Sequence, residues 1–545
     1  MKKIAFLLAI VCITGCATAP QKSTQKPKLV VGVVIDQMRY DYLTRFANRY
    51  GNDGFKRLQR EGFSLENAHY NYIPTYTAVG HTSIYTGTTP THHGIIGNYW
   101  YDKYLKKSIY CVDDNNYNTI GNDGEGGKKS PYRMLTTTVT DQLKLAQNMR
   151  GKTIGVAIKD RSAILPAGHT ANAAYWFDGG DKGQWISSSF YLNELPTWVQ
   201  EFNASGKADE YLSKPWETLY DISTYTQSIE DDNDFEVTFK GQERPVFPHD
   251  IPTLRKSNNN YSIIKGIPAG NSITTDFAKA AIIGENLGKS EFVDFIAISY
   301  SSPDYVGHQF GVASKEIEDT YLRLDQDLAE LFKFLDTQVG KDNYTLFLTA
   351  DHAAVQVPAY LESLKIPAGY VKPVAFKNFL NEITVKHFKS DEIIENISNF
   401  QVFLNKDKIR ELNLNYENVA QTIADEAINH NRIYKAVTAR TMQTTTFTNG
   451  ILHVLQNGYN QKFSGDVILV PNPSTIASSS RKGTTHGSGY SYDTHIPMIF
   501  YGNGIKQGVS KKKYEIVDIA PTISNLLQIE FPNGFTGKVI DEVLE

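Results

Sequence analysis

The chain has 545 residues, 41% hydrophobic and 12% aromatic, enough to bury a large core in several domains or in one enzyme domain with insertions. Its formal net charge is -4, and no Lys/Arg run follows a strand or helix in a way that would track a polymer's phosphates. No nucleic acid partner is expected.

Residues 1–15 read as a signal peptide, with Lys2 and Lys3, an apolar run from Ile4 to Ile13, then Gly15. The run is too short to span a bilayer as a retained helix. Ile13-Thr14-Gly15-Cys16 has the pattern of a bacterial lipobox, which implies cleavage before Cys16 and a lipid anchor on it. An ordinary cleaved signal that contains Cys is the other reading. The protein is therefore expected to be exported, periplasmic or an outer-membrane lipoprotein, with residues 16–28 as a flexible tether. Cys111 then has no internal partner for a disulfide and reads as a structural thiol.

From residue 28 onward, apolar runs alternate with amphipathic stretches, which argues for an α/β fold with a mostly parallel sheet between helices. Buried strands are predicted at 28–35, 152–158, 292–299, 344–349 and 496–501. Ile317, Tyr321, Leu324, Leu328, Leu331 and Leu335 fall on one face of a long helix that Ser314 would cap. Residues 29–545 read as one catalytic domain with two interruptions. An aromatic-rich insertion, about 165–275, holds Trp176, Trp185, Trp198 and Trp216; a small α+β subdomain, about 358–480, has a helix near 419–428 and a strand near 466–470.

Asp36 follows the first predicted strand, Lys159 and Arg161 the second, Asp304 and His308 the third, Asp351 and His352 the fourth. Open α/β sheets bind ligands beyond the carboxyl ends of their strands, so these residues should share one rim. With His486 they include three Asp and three His, enough for two N/O metal sites that each keep an open position. His combined with carboxylate favours zinc over calcium or magnesium.

Thr77 precedes a predicted helix at 78–85, whose free N–H groups would favour an anion. A Thr hydroxyl is a poor nucleophile at neutral pH, and coordination to zinc would activate it. Each residue has a structural reading too: Asp36 as a cap, Thr77 as a helix start, Lys159-Asp160-Arg161 as a solvated turn with an internal ion pair. His81, His92, His93, His169 and His495 are assigned to structure or to the surroundings of the ligands, because six ligands already suffice.

The segment NYIPTYTAVGHTSIYTGTTPTHHGIIGN at 71–98 resembles the nucleophile segment of the alkaline phosphatase superfamily. It is most similar to the branch joining nucleotide pyrophosphatase/phosphodiesterases to single-chain bacterial alkaline phosphatases of the PafA type. DQMRYDY at 36–42, KDR at 159–161, DYVGHQFG at 304–311, ADH at 350–352, KGTTHG at 482–487 and DIAPT at 518–522 extend the resemblance over the mature chain. Ala353 and Ala354 depart from it, since the family often has Gly after ADH.

The resemblance implies an alkaline phosphatase-like fold and two Zn2+ per subunit, one held by Asp36, Asp351 and His352 together with Thr77, the other by Asp304, His308 and His486. It implies Thr77 as the nucleophile of a covalent phosphothreonine route, and Asn98, Lys159 and Arg161 as phosphate contacts. The two added positive charges favour phosphomonoesters, small molecules, over diesters. A phosphodiesterase or nucleotide pyrophosphatase on the same scaffold remains the second reading, and an inactive metal-binding lipoprotein a minor one. Thr77 disfavours a sulfatase, since Thr cannot become formylglycine. A monomer is expected.

Overall fold

The computed structural model describes residues 26–545. The predicted signal peptide, the Cys16 anchor and most of the tether lie outside the described residues. An 11-stranded sheet forms the centre of a mixed α/β fold. Five neighbouring strands run parallel, in the order Tyr344–Thr349, Leu29–Ile35, Asp294–Tyr300, Thr153–Ala157 and Ala173–Asp178. Their apolar composition suits strands covered on both faces, and every residue of Leu29–Ile35 is buried.

Antiparallel strands flank this parallel centre: Met498–Gly502 beside Tyr344–Thr349, and Gln184–Ser188 beside Ala173–Asp178. On one face the Lys315–Leu335 helix packs against the Ala269–Gly284 helix. Its cap is Ser314, whose hydroxyl accepts from Ile317 N at 3.1 Å.

Two strands from the aromatic-rich stretch, Ala173–Asp178 and Gln184–Ser188, belong to the central sheet. Their rings are core: Trp185 stacks on Phe277 with centroids 4.0 Å apart, and Trp176 and Trp185 are both buried. Trp216 is also buried, with its indole N–H donating to Asp319 Oδ2 at 2.7 Å.

A separate four-stranded antiparallel sheet comprises Ile394–Ser398, Gln401–Leu404, Val467–Pro471 and Ile433–Thr438. With the Pro373–Phe388 and Tyr416–Ala427 helices it encloses its own core, including Leu380, Val402, Ile423 and Val467. The hairpin tip, Asn399 and Phe400, has positive φ at both residues, and Asn399 Nδ2 donates to Tyr99 O at 2.7 Å. The small sheet thus touches the chain segment next to Asn98. Cys111 is a buried free thiol. Among the described residues no helix is long and apolar enough to cross a membrane.

Candidate metal centre

Four adjacent parallel strands end on one edge of the sheet, and their ends supply most of the site. Asp36 directly follows Leu29–Ile35, Asp351 lies just beyond Tyr344–Thr349, and Lys159 begins the helix after Thr153–Ala157. Asp304 and His308 sit one helical turn apart on Ser302–Phe310, after Asp294–Tyr300, so they share a face. Thr77 opens the buried Thr77–Thr86 helix. Gly80 lets that helix approach the Asp351 strand end, because a Cβ there would lie 2.1 Å from Asp351 O.

The side chains converge in two overlapping clusters. Asp304 Oδ1 is 3.1 Å from His308 Nε2 and 3.6 Å from His486 Nε2. His352 Nε2 is 3.5 Å from Asp36 Oδ1, from Asp351 Oδ2 and from Thr77 Oγ1. The His352 and His486 rings stack with centroids 3.4 Å apart, which brings the clusters together. Asp304, His308 and His486 could hold one metal ion, and Asp36, Asp304 and His352 another, each with ligand atoms within 4.8 Å of one another. Asp304 therefore faces both clusters, where the resemblance assigns it to one.

The residues fit a divalent cation on two counts. Asp36 Oδ1 and Asp351 Oδ2 are buried without a hydrogen-bond partner, an arrangement that is costly unless something positive satisfies them. Nδ1 of His308, His352 and His486 faces a backbone carbonyl of Thr484, Ala353 and Thr75, at 2.8, 3.1 and 2.7 Å. An imidazole donating through Nδ1 turns the Nε2 lone pair toward the cluster.

Electrostatics follow burial. Burial, reinforced by the neighbouring Asp351 carboxyl, lifts Asp36 well above the usual carboxylate range, and burial lifts Asp351 to about 7. Burial would raise Asp304 as well, but His308 and Lys159 hold it well below its ordinary value. His486 is pushed down to about 3 by burial and by His308, so it stays neutral.

Lys159 Nζ lies 2.7 Å from Asp36 Oδ2 and 2.5 Å from Asp304 Oδ2. Burial alone would lower its pKa, but Asp304 and Asp36 outweigh that and keep it charged. Arg161 donates from Nη1 to the Tyr110 hydroxyl at 3.0 Å, and its Nε is buried without a partner. Asn98 Oδ1 accepts from Ala78 N at 2.8 Å, which leaves its NH2 as the donor end. The start of the Thr77 helix is thus less open than the sequence implies, since Asn98 takes one of its N–H groups.

Two neighbours of the site, Gln37 and Asp493, are not singled out by sequence, and a third, His81, is. Gln37 donates from Nε2 to Asp304 Oδ1 at 2.6 Å and from its backbone N to Asp351 Oδ1 at 3.1 Å. His81, assigned from sequence to structure or to the surroundings of the ligands, is 3.3 Å from Asp351 Oδ2 and hydrogen-bonds Thr77 O at 2.8 Å. Asp493 Oδ2 accepts from Gly487 N, Ser488 N and Ser488 Oγ, which fixes the loop bearing His486. Polar residues after a strand or in a loop give no periodic signal that would reveal such roles. Ala353 and Ala354 are buried and have no positive φ, so the departure from Gly is sterically allowed. His93 hydrogen-bonds Ser83 Oγ at 2.9 Å and His495 stacks on Tyr40, both away from the clusters. His169 Nε2 lies 3.3 Å from Thr136 O, and His92 is exposed.

Comparison with known proteins identifies the family of the chain as a whole. The model of the type I phosphodiesterase / nucleotide pyrophosphatase family matches residues 30–494. Over the whole chain, alkaline phosphatase PhoV of Synechococcus elongatus is 45% identical, covering 100% of both proteins. A Myroides odoratus protein named calcium-transporting ATPase is 44% identical, covering 100% of this chain and 99% of its own. Alkaline phosphatase PafA of Elizabethkingia meningoseptica is 41% identical over 99% of this chain and 98% of its own. A crystal structure of wild-type PafA superimposes with a TM-score of 0.92 at 42% identity, covering 96% of this chain and 99% of that one. The chain belongs to the type I phosphodiesterase / nucleotide pyrophosphatase family, within its branch of PafA-type bacterial alkaline phosphatases.

Proposed function

We propose that this chain is an alkaline phosphatase that hydrolyses phosphate monoesters, with Thr77 as the nucleophile and two zinc ions as cofactors. One zinc would be held by Asp36, Asp351 and His352, the other by Asp304, His308 and His486. The observation that carries the reading is the meeting of Thr77 Oγ1 with His352 Nε2, 3.5 Å apart, beside buried carboxylate oxygens that accept no hydrogen bond. Whole-chain identity to proteins named alkaline phosphatase supports it. When bound, the zinc ions supply Lewis-acid stabilisation of the oxygens that gain charge during phosphoryl transfer.

The chain's own groups do the rest. The Thr77 oxygen bonds to phosphorus as the ester P–O bond breaks, and the alcohol leaves with a proton. Water then attacks phosphorus, inorganic phosphate departs, and the Thr77 hydroxyl recovers its proton. Arg161 can turn its unpartnered Nε toward a nonbridging oxygen, and Asn98 its NH2. Lys159 has three donors, of which Asp36 and Asp304 engage two, leaving one for the phosphoryl group. A monoester carries about -1.5 to -2 at pH 7 and a diester only about -1, so Lys159 and Arg161 favour the monoester.

The second reading, diester cleavage, rests on the family model. Export, lipidation of Cys16 and the division of residues 29–545 into a catalytic domain with two added segments are part of the same proposal and rest on sequence. Assay of the chelated and zinc-restored enzyme on an aryl phosphomonoester, the matching diester and a sulfate ester tests the whole. Monoester turnover should dominate, vanish with chelator and return with zinc; faster diester turnover would overturn the substrate assignment.

A further inference from the structure

We infer that Gln37 is a positioning residue that ties the two metal sites together. It occupies the third position of the turn from Ile35 to Met38, closed by Met38 N donating to Ile35 O at 3.2 Å. Its φ is +66°, a conformation that turns usually give to glycine. A glutamine held there, 3% exposed, accepts backbone strain in order to keep a side chain in place.

That side chain has a specific target. Nε2 donates to Asp304 Oδ1 at 2.6 Å, the same oxygen that faces His308 and His486. The backbone N of Gln37 donates to Asp351 Oδ1 at 3.1 Å, and Gln37 follows Asp36 in the chain. One residue therefore contacts or adjoins a carboxylate of every candidate ligand group. Gly307 makes the room: a Cβ at Gly307 would lie 1.9 Å from Gln37 Oε1, and Gly307 sits on the helix between Asp304 and His308. Lys159 grips the Oδ2 atoms of Asp36 and Asp304, so Gln37 and Lys159 hold Asp304 by opposite oxygens. Hydrogen bonds of this kind to metal ligands fix their orientation and raise affinity.

The inference rests on the two-zinc reading, and the experiment separates the two. Full-length wild type, Q37G, Q37E, G307A and the Q37G/G307A double variant are stripped of metal and melted, then titrated with zinc in competition with a chelating indicator. Q37G trades relief of the backbone against loss of the bond to Asp304 Oδ1, so its metal-free melting temperature should stay within a few degrees of wild type. It should nevertheless bind zinc about tenfold more weakly. Q37E should bind more weakly still if its carboxylate stays opposite Asp304. G307A, which displaces the amide, should match Q37G, and the double variant should be no worse than either single one. Wild-type zinc affinity in Q37G, or an affinity loss that only tracks a lower metal-free melting temperature, would sink the role of Gln37. A wild-type chain that binds no zinc would instead sink the metal reading.

Discussion

Thr77 Oγ1 lies 3.5 Å from His352 Nε2, although the two residues are 275 positions apart in the chain. The contact depends on the close packing of the Thr77–Thr86 helix against the strand end that bears Asp351. Thr77→Ala should lower turnover of an aryl phosphomonoester by about 10⁴- to 10⁶-fold, the scale of nucleophile removal. Thr77→Ser should keep measurable turnover, since its hydroxyl reaches the same place. Acid-quenched mass spectrometry should find phosphate on residue 77 in the wild type and in the Ser variant, and none in the Ala variant. Full activity in the Ala variant would exclude Thr77 as the nucleophile.

Arg161 and Lys159 should discriminate between substrates. Replacing either with Ala should cost about 10²- to 10³-fold in kcat/KM on a monoester, as loss of a charge-stabilising donor does. The same variants should lose less on the matching diester, which carries less charge to hold. Equal losses on both substrates would assign the pair to scaffolding.

Gly80 is a steric requirement of the site. In Gly80→Ala the new methyl would sit 2.1 Å from a backbone oxygen, an atom that cannot rotate away. The helix must shift, at about 1–3 kcal/mol of stability, and Thr77 moves with it. The expected result is a lower melting temperature together with a kcat loss larger than any change in KM; wild-type kcat would show that the helix absorbs the methyl without moving Thr77.

Glu236 should make stability fall as pH rises. Burial, then the neighbouring Glu316 carboxyl, lifts its pKa from 4.5 to about 10, with Asp231 adding to the rise and Lys315 opposing it. The folded state thus holds a proton that the unfolded chain releases. The contribution is complete below about 4.5 and is lost as pH climbs through about 10. Glu236→Gln removes the titration and keeps an oxygen for Asn233 Nδ2, which donates to Glu236 Oε1 at 2.7 Å. Melting curves from pH 6 to 10 should decline less steeply in the variant than in the wild type; parallel declines would show that other groups set the slope.

Much of this architecture is legible in the sequence because burial on both faces leaves a local mark. The runs at 28–35 and 344–349 became the adjacent strands Leu29–Ile35 and Tyr344–Thr349, and the apolar face after Ser314 became the capped Lys315–Leu335 helix. The aromatic stretch is harder to parse. Tryptophan composition does not say which core a ring enters, and it is backbone pairing beside Thr153–Ala157 that sets Ala173–Asp178 and Gln184–Ser188 in the central sheet.

Sequence by itself determined which side chains could bind metal and that all of them but His486 follow strands, since parallel strands bring their carboxyl ends to one edge whatever the exact register. Only the tertiary structure decided how those groups share the space. Asp304 faces both clusters, Lys159 bridges Asp36 and Asp304, and Gln37 spends a strained backbone position on Asp304. Such contacts join residues more than a hundred positions apart, and their directions are fixed by packing and by the need to satisfy buried charge, neither of which has a period or a motif in the chain.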